Sequence, residues 1–123
     1  ELGAQILQLT KDQTLVQREV DQGLLKPDAA ETDSRRSVLL QCIGASENVE
    51  PAYIKGHTAK EAVYLLCCDG FRHLVSAEEI YEAFYPPKML DEELLNQAGK
   101  QMIQLNKERG EQDNISVIVI RTW

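Results

Sequence analysis

Two apolar runs, each with an aspartate where it meets a turn, constrain this chain most. Val63-Tyr64-Leu65-Leu66-Cys67-Cys68 runs into Asp69-Gly70, and Asp113-Asn114 opens Ile115-Ser116-Val117-Ile118-Val119-Ile120. Short apolar runs bounded by turn residues read as strands. In an antiparallel pair the C-terminal end of one strand lies beside the N-terminal end of the other, so Asp69 and Asp113 are expected at one rim of a sheet. Two carboxylates on rigid strand ends form half of a site for magnesium or manganese, which take oxygen ligands in near-octahedral geometry. Asp-Gly and Asp-Asn are also ordinary turn dipeptides, so spacing alone leaves a purely structural role open.

A chain of 123 residues, 43% hydrophobic, is long enough for one domain or a large part of one, with a real core. Thirteen Lys and Arg against twenty Asp and Glu give a net charge of -7, which opposes nonspecific contact with nucleic acid or an anionic membrane surface. Three cysteines, two of them adjacent, do not make a secreted disulfide framework and fit a reducing cytoplasm. No C-x-x-C spacing suggests a thiolate metal site. No apolar stretch reaches the ~20 residues that cross a bilayer, and the start does not resemble a signal peptide. The absence of an initiator Met, with a strand-like stretch at Ala4–Leu9, suggests an internal or trimmed piece.

The pattern predicts the order β, α, α, β, β, α, α, β. Thr14 and Gln17 offer a capping box for a helix that Gly23 can end, with Leu15, Val16 and Val20 inward. Pro27 suits the first position of a short helix through about Glu31. Lys26–Arg36 is polar and is expected to be a mobile surface excursion. Val38–Ile43 is a compact apolar segment closed by Gly44, Val49–Lys55 alternates well enough for a strand, and Ala62–Cys68 reads as a strand covered on both faces because it shows little alternation. Ser76 and Glu79 form a second capping box for a helix that Pro86 and Pro87 stop. Asp91-Glu92-Glu93 opens a longer helix with Leu94, Leu95, Ala98, Met102 and Leu105 as its apolar stripe. Met102 is read as core filler. The fold class is α+β, antiparallel strands packed against a helical pair.

Four segments, in order, resemble the metal-dependent protein phosphatase family, the type 2C serine/threonine phosphatases. Leu9-Thr10-Lys11-Asp12-Gln13-Thr14 is similar to that family's L-T-x-D-H-S, and Ser37-Val38-Leu39-Leu40-Gln41-Cys42-Ile43-Gly44 to its N-V-L-T-R-A-L-G. Tyr64 through Phe71 resembles L-L-x-S-D-G-L, and Gln112 through Val117 resembles G-x-D-N-I-T-V. The resemblance implies half of a four-layer α-β-β-α sandwich with a metal centre between the sheets. It implies Asp69 and Asp113 as metal ligands, Asn114 bracing the Asp113 turn, and no catalytic side chain independent of the manganese or magnesium ions. In the family, the ions hold a water that attacks a phosphoserine or phosphothreonine ester on a protein substrate. Residues 14–37 correspond to the family's flap, whose polar excursion runs from about Gln17 to Arg36.

The departures are specific. Gln13 stands where the family usually has His, Leu40-Gln41 where it has Thr-Arg, and His73 where an Asp is frequent. His73 is weighed as a metal ligand against a surface or packing residue, while His57 beside Gly56 reads as solvated. The family's D-G-x-G-G motif, whose aspartate bridges the ions, does not occur in this sequence. Residues 1–123 therefore read as a single partial domain, the C-terminal portion of a catalytic domain, with the N-terminal half as its partner. Alone it is expected to bind divalent ions weakly, to hydrolyse nothing, and to self-associate through open sheet edges. The alternative is a non-catalytic phosphatase-like interaction module, which the altered Leu40-Gln41 and His73 favour.

Overall fold

The computed structural model describes residues 6–123 and divides the chain into two compact units, Leu7–Lys55 and Gly56–Trp123 together with Ile6. The start of the expected strand at Ala4–Leu9 lies outside the described residues, and residues 6–9 are not in a strand.

In Gly56–Trp123 the two aspartate-tipped runs do pair. Strand β1 (Val63–Cys67) and strand β2 (Val117–Arg121) form an antiparallel ladder from Val63 opposite Arg121 to Cys67 opposite Val117. Helix α3 (Asp69–Arg72) follows β1 directly, then α4 (Ala77–Ala83), a 3-10 turn at Pro86–Lys88, and α5 (Glu92–Glu108) leading to β2. Val63, Leu65, Val117 and Val119 pack from the sheet against a core of Phe71, Val75, Ile80, Phe84, Met89, Ala98 and Met102. Antiparallel strands covered by helices are thus present, as the α+β pattern requires.

Local chemistry explains the helices. The Ser76 capping box is complete: its hydroxyl accepts from the Glu79 N–H while Glu79 accepts from the Ser76 N–H. The Asp91 carboxylate caps α5 through the Leu94 N–H. Leu94, Leu95 and Leu105 are half-buried, and Ala98 and Met102 fully so, which bears out the stripe and the core role of Met102. Arg109 at the end of α5 grips Glu79 with both guanidinium nitrogens and donates to the Leu74 carbonyl. The start of α4 is thereby tied to the end of α5.

Two expectations for this unit need correction. Asp69-Gly70 opens helix α3, where the Asp-Gly dipeptide predicts only a turn. In addition, β1 is not covered on both faces: Leu66 is 55% exposed and Cys67 is exposed, and across the ladder Ile118 and Ile120 also face outward. Cys68 leaves the strand's alternation and packs inward as the residue before α3.

In Leu7–Lys55, α1 (Leu15–Asp21) and α2 (Pro27–Thr32) form as expected, with Thr14 capping through the Gln17 N–H and Pro27 in the first turn. The capping box is only half made, because the Gln17 side chain donates to Asp21 instead. Gly23 takes a positive φ of 73° and returns its N–H to Val20, ending α1. Arg35 bridges Glu19 and Asp33 and closes the polar excursion. Val49–Lys55, expected as a strand, is not one, and in the apolar Val38–Ile43 segment only a single bridge, Thr14 to Leu39, forms. A strand exists by pairing, and these segments find no ladder partner among the described residues. Their apolar side chains are correspondingly bare, with Ile43 88% and Tyr53 82% exposed.

Phe71→Ala removes a ring with no exposure at all and is expected to destabilise by about 3–5 kcal/mol, read by denaturant unfolding. Arg109, followed by the Ser76 N–H, holds the Glu79 carboxyl down to about 2 from its ordinary 4.5. A depressed folded-state pKa gives stability that is complete above about pH 4.5 and is lost as the pH falls toward 2. The melting-temperature difference between the protein and Arg109→Ala is therefore expected to shrink across that window, and to shrink with salt because both groups are partly exposed.

Candidate metal centre

The register of β1 and β2 carries the chain ends of the two runs to one rim. Past the Cys67–Val117 pair the ladder continues through the Cys68 N–H, which donates to the Ser116 carbonyl at 3.2 Å. The Cys68 thiol contacts the Asn114 carbonyl oxygen at 3.1 Å and receives the Ser116 N–H at 3.2 Å. Two residues on, Gly70 is buried with its backbone against the Asp113-Asn114 turn. A Cβ placed at position 70 would collide with the Asn114 carbonyl oxygen and lie 3.5 Å from the Asp113 Cβ. Only glycine permits that approach. The structure thus brings the Asp69 and Asp113 segments together, as the sequence pattern suggested.

Each aspartate is exposed, and each gives one carboxylate oxygen to an adjacent N–H: Asp69 Oδ1 to Gly70 at 3.0 Å, Asp113 Oδ1 to Asn114 at 2.7 Å. These short local bonds fix the direction of both side chains. Asn114 takes part through its backbone, donating to Asp113 and presenting its carbonyl to Cys68. In kind, exposed aspartate oxygens fit a hard dication. In number they are few: among the described residues no group of three His, Cys, Asp or Glu side chains is arranged to hold a metal.

His73, at the end of α3, binds Glu111 Oε2 through Nδ1 at 2.9 Å. Glu111 in turn accepts the N–H groups of Gln112 and Asp113 at Oε1, both at 2.9 Å. The Asp113 N–H first, then His73, holds the Glu111 carboxyl below its ordinary range. Glu111 is not among the residues that the sequence pattern singles out. The local signal is Gly110 after a capped helix, whose positive φ of 91° turns the chain back at Glu111.

In the Leu7–Lys55 unit, two of the altered positions meet each other. The Gln41 amide donates to Gln13 Oε1 and to the Glu50 carbonyl, and its own oxygen accepts the Glu50 N–H. Gln13 and Gln41 are therefore a structural pair, which single-position reading did not reveal.

No family model matches the chain. The serine/threonine protein phosphatase PstP of Mycobacterium tuberculosis is 33% identical over 115 residues, covering 94% of this chain and 21% of that protein. A putative protein phosphatase 2C-type from Streptococcus pyogenes is 29% identical over 113 residues, 91% of this chain and 44% of its own length. The crystal structure of the Mycobacterium tuberculosis serine/threonine phosphatase PstP/Ppp matches with a TM-score of 0.81 and 32% identity, covering 98% of this chain and 48% of that one. The S. agalactiae serine/threonine phosphatase shares the fold with a TM-score of 0.83 at 24% identity, again over 98% and 48%. The chain therefore spans less than half the length of these relatives. Similarity across almost every residue, in sequence and in backbone, has one reading: this chain is part of a type 2C serine/threonine protein phosphatase domain.

Proposed function

We propose that the chain supplies Asp69 and Asp113 to a magnesium or manganese centre that serves hydrolysis of phosphoserine and phosphothreonine esters on protein substrates by the whole domain. The observation that carries this is the seating of Gly70 on the Asp113-Asn114 turn, which holds two exposed carboxylate-bearing segments at one rim. A divalent ion bound there supplies Lewis acidity toward a phosphate ester and lowers the pKa of water. The chain's own contribution is to hold the two carboxylates in fixed directions through the Gly70 and Asn114 N–H groups.

The remaining ligands come, on this reading, from the part of the domain that the relatives have beyond the matched region. The outward apolar row of Leu66, Ile118 and Ile120 supports a second sheet packing there, which gives the four-layer sandwich. Residues 1–123 are then one partial domain with 14–37 as its flap. Three cysteines, two of them adjacent, support a reducing, cytoplasmic setting. Among the described residues no helix is long and apolar enough to cross a membrane.

A protein extended upstream of Glu1 is expected to show manganese-dependent phosphatase activity that Asp69→Ala abolishes; activity indifferent to Asp69→Ala would overturn the assignment. The 123-residue chain alone is expected to give no turnover of p-nitrophenyl phosphate with manganese. Gly70→Ala in the extended protein is expected to weaken manganese binding by forcing the Asp113 turn away, measured by calorimetric titration.

A further inference from the structure

We infer that Glu111 is a positioning residue that fixes the Asp113 turn against the end of α3, with His73 and Asn106 as its anchors. The inference rests on the reading of Asp113 as a metal ligand. Glu111 carries a carboxylate in a loop yet is only 7% exposed at its side chain. Such burial costs free energy unless donors surround the charge, and three do: the N–H groups of Gln112 and Asp113 on Oε1, and His73 Nδ1 on Oε2. Two of those donors are the backbone of the Asp113 turn and its neighbour. The third is the C-cap of the helix that Asp69 begins.

The anchoring continues inward. The Glu111 N–H donates to the Asn106 carbonyl at 3.0 Å, and the Asn106 amide, with no exposure, donates to the Phe71 carbonyl at 2.8 Å and the Met102 carbonyl at 3.0 Å. The path from Asp69 to Asp113 is thus closed twice, once by Gly70 against Asn114 and once through His73 and Glu111. The first contact sets how close the segments come. The second sets the pitch of the Asp113 backbone, and therefore the direction of its carboxylate, by a bond to the Asp113 N–H itself. Supports of this kind typically change metal affinity by about 10–100-fold when removed.

The test uses the extended protein and manganese alone, with affinity read by electron paramagnetic resonance and stability by melting without metal. Glu111→Ala is expected to weaken manganese binding about tenfold or more. Glu111→Gln, whose amide oxygen still accepts the Asp113 N–H, is expected to recover most of it. Leu105→Ala, a core truncation away from the rim, is expected to lower the melting temperature and leave manganese affinity unchanged. Should Glu111→Ala not fold, His73→Ala against Glu111→Gln carries the comparison, with His73→Ala the weaker binder. Affinity unchanged in Glu111→Ala and His73→Ala, while Asp113→Asn abolishes binding, overturns the positioning role and leaves the metal assignment standing. No effect of Asp113→Asn overturns both.

Discussion

The antiparallel ladder between β1 and β2 is the constraint on which the rest of the Gly56–Trp123 unit depends. Five paired positions, from Val63–Arg121 to Cys67–Val117, fix which side chains face the helices and which residues meet at the rim. A slip of one residue would turn Val117 and Val119 away from Phe71 and Met102 and bring Ile118 and Ile120 inward. It would also carry Asp113 out of step with Asp69. Core packing and site geometry are therefore set by the same register, and neither can be altered without the other.

The helices transmit that register to the site. Met102 and Ala98 press α5 onto the core, and Asn106, one turn beyond Met102, reaches the Phe71 carbonyl in α3. Its Oδ1 has no hydrogen-bond partner among the described residues, a cost in a fully buried amide that the two bonds from Nδ2 offset. The outer helices are fastened at their ends by the Ser76 box and by Arg109 on Glu79. The apolar center is thus bounded by directed polar contacts that leave little freedom at the rim.

What the sequence disclosed divides along a physical line. Caps and breakers act within a few residues, so Thr14, Gly23, Pro27, Ser76 and Asp91 marked their helices correctly. The β1–β2 pair was legible because both partners lie in the chain and carry matching aspartates at opposite ends. Val49–Lys55 has strand composition but no ladder, since pairing is non-local and composition cannot supply it. The Asp69 and Asp113 juxtaposition could be anticipated from topology. The Glu111–His73 contact and the Gln13–Gln41 pair could not, because each joins positions far apart whose relation only the fold creates.

Gly70 illustrates a different kind of demand. What crowds it is the carbonyl oxygen of residue 114, an atom every amino acid possesses. Exchanging the side chain at 114 would consequently never open room for a methyl group at 70. Tolerance at the first position is independent of identity at the second, and compensating pairs of substitutions are ruled out there by the main chain alone.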